Sequence, residues 1–171
     1  LCFSISMKTE AAVFGAGCFW GVEAAFAQVK GVMKTEAGYM GGDEERFPAP
    51  TYRQVCTDET GYAEVVRIEF DPSVVSYEKL LEFFWAIHDP TQHNQQGPDV
   101  GTQYRSVIFY VSEEQEQKAE ALLQKQQKKL GRKIATEIVP VGTFFRAEEY
   151  HQKYYEKHSG ASCHVLPRGF S

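Results

Sequence analysis

Five short runs rich in β-branched and aromatic residues punctuate the chain: AAVFGA at 11–16, MKTEAGYM at 33–40, AEVVRIEF at 63–70, RSVIFYV at 105–111 and IATEIVPV at 134–141. Each has the composition and length of a β-strand. Between them lie stretches of helical period at 18–29, 76–88, 112–130 and 147–158. Strands interleaved with helices in this way pack most readily as one sheet with helices laid against it. The pattern therefore predicts an α+β fold, a two-layer α/β sandwich of split βαβ, ferredoxin-like character. The 112–130 helix is the clearest element. Ser112 and Gln115 have capping-box spacing, Ala119, Leu122, Leu123 and Leu130 form an apolar stripe, and Gly131 suits the C-terminal cap. Its many charges read as a solvated face.

Two Gly/Pro-rich loops, at 40–51 and 89–102, have no evident periodicity. Irregular loops beyond about 12 residues are uncommon in a compact domain unless they are functional or disordered. These carry aromatic, acidic and amide side chains, which favours function. A chain of 171 residues suits one core, and no repeat or linker divides it. The opening LCFSIS is too short for a secretory signal and lacks its basic n-region and small-residue cleavage site. With Met7 read as the natural start, residues 1–6, Cys2 included, are expected to be an added or disordered leader, and 7–171 one domain.

A net charge of -5 argues against nucleic-acid binding, which needs a basic footprint to displace counterions. No apolar run approaches the roughly 20 residues that span a bilayer. The expectation is a soluble, cytoplasmic protein with neither nucleic-acid nor membrane partners. Four cysteines, at 2, 18, 56 and 163, are too scattered for a disulfide scaffold. The adjacent Cys163 and His164 lack the spacing of a metal site, so no metal is expected.

In FGAGCFWG, a strand runs through Gly17 into a helix that starts beside Cys18. Unpaired N–H groups and the positive end of the helix dipole stabilise a thiolate there, lowering its pKa from about 8.5. The flanking glycines permit close approach to the sulfur. A buried structural cysteine fits the local pattern equally well. The glycine spacing does not match a dinucleotide fingerprint, and there is no C-x-x-C redox pair. A cysteine hydrolase or acyl-transferase would need a histidine base beside Cys18. His88, His93, His151, His158 and His164 are the candidates by residue type, several of them with ordinary structural explanations.

GCFW at 17–20, GGDEERFPAPTYRQVCTDETGYAEVV, HDPTQHNQQGPDVGTQYRS and AEEYHQKY together resemble the A-type peptide methionine sulfoxide reductases. The resemblance spans nearly the whole chain from about Met7 to Arg168. It implies that Cys18 attacks the sulfur of methionine S-sulfoxide, free or in proteins, and becomes a sulfenic acid. It implies that Glu64 is the proton donor, that Asp99 binds the sulfoxide oxygen through water, and that Tyr52 and Tyr104 hydrogen-bond that oxygen. Phe19 and Trp20 would enclose the methyl group. Cys163, in a mobile C-terminal tail, would resolve the sulfenic acid as a disulfide with Cys18, which thioredoxin reduces. Cys56 is expected to be buried and inert. No cofactor is implied, and a monomer is expected.

Glu64 alternates with Ala63 and Val65, so it shares a strand face with Tyr62 and Val66. Without the resemblance it reads as a solvated charge. Tyr62 and Gln95 depart from the family's frequent histidine and arginine, which puts affinity or loop packing in question rather than the reaction. A binding module that kept the aromatic pocket without turnover is the main alternative.

Overall fold

The computed structural model describes residues 8–158. In chain order these are β1 (Glu10–Ala16), α1 (Phe19–Ala27), β2 (Val32–Met40), α2 (Tyr52–Val55), β3 (Ala63–Phe70), α3 (Tyr77–Ala86) and a small ribbon of β4 (Gln95–Gln96) and β5 (Asp99–Val100). Then come β6 (Ser106–Tyr110), α4 (Glu113–Leu130), β7 (Glu137–Pro140), β8 (Phe145–Arg146) and α5 (Tyr154–Lys157). The main sheet has the order β7-β6-β1-β3-β2-β8, parallel only between β6 and β7. Its central order, β6-β1-β3-β2, is that of two interleaved βαβ units, the split βαβ arrangement the sequence predicts.

Alternation along the strands decides the two faces. Ala12, Phe14 and Ala16 of β1, Val66, Ile68 and Phe70 of β3 and Ala37 and Tyr39 of β2 are buried with α1 and α3 in the larger core. Phe14 anchors it, with Phe26 and Phe84 each stacked 5.2 Å away. The opposite face buries Val13, Met40, Ala63, Val65, Val107 and Phe109, with Phe144 packed against them. The 112–130 helix forms as read: the Ser112 hydroxyl accepts from the Gln115 N–H at 3.2 Å, and Gly131 closes the helix at φ 63°.

The stretch 147–158 departs from the single helix its period predicts. It forms a 3₁₀ turn at Glu149–His151 and the short α5, broken at Lys153, which adopts a left-handed φ of 50°. Tertiary bonds impose the break. Glu23 Oε1 accepts from the Lys153 N–H at 2.6 Å, while the Gln152 amide bonds both the N–H and the C=O of Ala37 at 2.9 Å.

β8 crosses β2 closely at Gly38, where an added Cβ would meet the Phe144 ring and lie 2.6 Å from Phe145 O. Gly38→Ala should therefore destabilise the fold by about 1–3 kcal/mol, the usual cost of overpacking, as measured by urea unfolding. An unchanged unfolding midpoint would contradict the close packing.

Candidate functional site

β1 delivers the chain through Gly17, at φ +98°, to Cys18, the N-cap of α1. A Cβ at Gly17 would lie 3.0 Å from Gln96 Cβ, so glycine lets the β4–β5 ribbon close over this turn. Cys18 is half-buried. Its thiol is pushed up to about 12, first by burial and then by the negative charge of Glu64, with Asp99 adding to it. The N–H groups of Trp20 and Gly21 pull the other way and lose. The thiolate expected from the helix terminus is thus corrected: in the resting site Cys18 is a thiol, because desolvation outweighs the first turn of α1.

Glu64 lies on the helix-covered face of β3 and is 1% exposed. Its Oε1 accepts from the Phe19 N–H at 3.3 Å, which ties it to the residue directly after Cys18. Its Oε2 accepts from Gln103 Nε2 at 3.5 Å. Burial pushes the carboxyl up to about 8, while the Phe19 and Gln103 N–H groups oppose this and Asp99 reinforces it. Near pH 7 the group therefore keeps its proton.

Tyr104, at the end of the 3₁₀ turn Thr102–Tyr104, is pushed upward by burial and then by Glu64, Asp99, Cys18 and Cys56. Tyr52, at the start of α2, is raised by burial first and then by its hydrogen bond to Cys56. Asp99, on β5, adds its charge to both Cys18 and Glu64. The structure thus brings Cys18, Glu64, Asp99, Tyr52 and Tyr104 into one electrostatically linked cluster.

Beside it stands an aromatic wall. The Trp20 indole N–H donates to His151 Nδ1 at 2.9 Å, and its ring stacks on Tyr154 at 3.7 Å. Phe19 is 1% exposed and packs against Tyr39 and His151.

The family model for peptide methionine sulfoxide reductase matches residues 10–169. A peptide methionine sulfoxide reductase MsrA of Geobacter sulfurreducens is 58% identical over 156 residues, 90% of this chain and 94% of that protein. The reduced form of Mxr1 from Saccharomyces cerevisiae is 38% identical, with a TM-score of 0.89 over 94% of this chain and 93% of that one. Mxr1 in complex with Trx2 is 25% identical, with a TM-score of 0.63 over 97% and 94%. The chain belongs to the peptide methionine sulfoxide reductase family. Its reaction is the reduction of methionine sulfoxide, which makes it an oxidoreductase.

For a methionine sulfoxide reductase, three details of the site were not legible in advance. Cys56, expected to be buried, is exposed, and Gln103 Nε2 contacts its sulfur at 3.6 Å. It follows α2, a four-residue helix whose Thr51 and Gln54 capping box turns Val55 inward and leaves Cys56 outside. His151, fully buried, is the hub of the wall, with Tyr52, Phe19 and Trp20 ring centroids 4.3, 5.1 and 5.7 Å away. Glu148 accepts from the Tyr39 hydroxyl and the Tyr52 N–H, both at 3.0 Å. Both lie in AEEYHQKY, one of the motifs that carry the family resemblance, but that stretch reads only as helical in period and gives neither residue a partner.

His88 does not serve Cys18, since its two nitrogens engage Phe84 O at 2.6 Å and Ser106 Oγ at 2.7 Å. Among the described residues no group of three metal-binding side chains forms. Tyr62, at the departure from the family's histidine, is buried and donates its hydroxyl to Phe47 O at 2.8 Å, an ordinary packing role. Cys2, Cys163 and His164 lie outside the described residues.

At pH 8, iodoacetamide should label Cys56 well before Cys18. Glu64→Gln should raise Cys18 labelling above pH 8, because it removes the charge that helps hold the thiol proton. Peptide mapping by mass spectrometry reads both rates, and an unaltered Cys18 rate in Glu64→Gln would sever the electrostatic link.

Proposed function

We propose that a single domain, residues 7–171, reduces the S epimer of methionine sulfoxide, free or within proteins, with Cys18 as nucleophile and Glu64 as general acid. The observation that carries this reading is the Glu64 carboxyl, buried, kept protonated near pH 7 and bonded to the N–H directly after Cys18. Oxide leaves sulfur poorly unless it is protonated during attack, so the acid and the thiol must act at one place. Glu64 gives its proton to the sulfoxide oxygen as the Cys18 sulfur attacks, and the thiol loses the matching proton. Sulfoxide plus thiol then yields thioether plus Cys18 sulfenic acid, with no net proton change.

The Tyr52 and Tyr104 hydroxyls, both held neutral by burial, donate to the oxygen as it gains negative character, and Asp99 orders a water against it. Phe19 and Trp20 take the methyl group, with sulfur–aromatic contact worth about 0.3–1.5 kcal/mol. With methyl and oxygen assigned to different walls, only one epimer fits. Cys163 attacks the sulfenic acid, releasing water and forming a Cys18–Cys163 disulfide, which a thioredoxin dithiol reduces. The yeast Mxr1–Trx2 complex supports that choice of reductant. The working form is a cytoplasmic monomer that needs no cofactor.

Cys18→Ser should abolish turnover, and Cys163→Ser should release about one equivalent of methionine before stalling, counted by mass spectrometry with and without thioredoxin. Sustained turnover of Cys163→Ser with thioredoxin would remove Cys163 from the resolving role. Single-turnover reduction should slow as pH rises through about 8, where Glu64 gives up its proton. Glu64→Gln should slow it by roughly 10²-fold or more at pH 7. An unchanged Glu64→Gln rate would leave the reaction without its acid.

A further inference from the structure

The Glu64 carboxyl meets two N–H donors. One is the backbone N–H of Phe19 and the other is the side-chain amide of Gln103. Gln103 is 4% exposed in the middle of the 3₁₀ turn. That turn is fastened on both sides. Asp58 Oδ1 accepts from the Thr102 N–H at 2.8 Å and also from the Thr102 hydroxyl, while Arg105 Nη1 donates to Thr102 O at 2.9 Å and Gly61 O at 3.0 Å. The amide is therefore placed by the fold.

Taking Glu64 as the proton donor, we propose that Gln103 is a positioning residue: its amide N–H grips the second Glu64 oxygen and steadies the carboxylate left when the proton departs. An N–H donor favours a carboxylate over a carboxylic acid, so its bond strengthens as proton transfer proceeds. Such a contact acts on the chemical step more than on substrate binding. Among the described residues no other group facing Glu64 donates to it: the Tyr39 hydroxyl on β2 is given to Glu148, Cys18 at the α1 N-cap, Tyr52 on α2 and Tyr104 on the turn make no hydrogen bond to the carboxyl, and Asp99 on β5 carries the wrong sign. Of the two opposing donors, only Gln103 is a side chain that can be exchanged.

The test is to follow the Glu64 carboxyl by carbon-13 NMR against pH in the full chain, alongside single-turnover reduction of methionine sulfoxide. The wild type is compared with Gln103→Met, which keeps the length, and with Gln103→Leu as a second variant should the first fold poorly. In either variant the Glu64 midpoint should move upward by about one pH unit, a tenfold change in proton affinity on the scale of a hydrogen bond to a charged group. The reductive step at pH 7 should slow by roughly tenfold while the KM for methionine sulfoxide stays put. A Glu64 midpoint that stays in place or moves down overturns the proposal. A midpoint that rises without any slowing supports the grip on Glu64 but removes Glu64 from the proton-donor role, so the two readings fail separately.

Discussion

Glu64 sits between Tyr62 and Val66 on the covered face of β3, where water does not reach its carboxyl. Leaving an isolated carboxylate there would cost tens of kcal/mol in a low-dielectric medium, and such a group takes up a proton instead. Its two hydrogen bonds offset only part of that cost, so the carboxyl titrates near 8 rather than its ordinary 4.5. The native state then binds one proton more than the unfolded chain between those values. Stability contributed by this position is full below about 4.5 and is lost as pH rises towards 8, on the order of a few kcal/mol in all. A fold that accepts this penalty holds a carboxylic acid ready at neutral pH.

The same desolvation decides the state of Cys18. A helix terminus is worth about 0.3–1 kcal/mol to a nearby charge, and up to about 2 in favourable partly buried geometry. A rise from 9.0 to about 12 is roughly 4 kcal/mol in the other direction. The dipole argument has the right sign but too small a magnitude once the β4–β5 ribbon closes over Gly17. Two neutral groups result at pH 7, a thiol and a carboxylic acid, and once Glu64 ionises its charge makes the thiol harder still to ionise. On the proposed reading, that pairing suits a reaction that moves one proton off sulfur and one onto oxygen without net change.

Much of this was legible in the chain, for identifiable reasons. Period-2 alternation put Glu64 on the same face as Tyr62 and Val66, and the interleaving of strand and helix patterns pointed to the split βαβ class, because both are local properties of the residues. The Ser112 cap and the Gly131 stop were legible for the same reason. What failed depended on distant partners. The helical period of 147–158 could not show that Glu23, 130 residues away, would capture the Lys153 N–H and break the helix. Cys56 reads as a small apolar residue, and only the turn imposed by the Thr51 cap leaves it outside. Burial of Gln103 and His151 depends on which loops cover them, and no spacing rule encodes that.

The pinned segment also bears on how a resolving thiol could reach the site. Gln152 bonds Ala37 on both sides as a strand neighbour would, and Glu23 bridges Lys153 and Thr35, so His151 is held rigidly behind Trp20. From there a ladder of rings leads outward: Trp20 on Tyr154 at 3.7 Å, then Tyr154 on His158 at 4.2 Å. The last described residue therefore departs from the rim of the aromatic wall that flanks Cys18. Cys163 is five residues further on, and a chain extends by at most about 3.6 Å per residue, so its Cα stays within about 18 Å of His158. On the proposed reading, that short tether makes the Cys18–Cys163 step intramolecular, so its rate is set by effective concentration rather than by encounter.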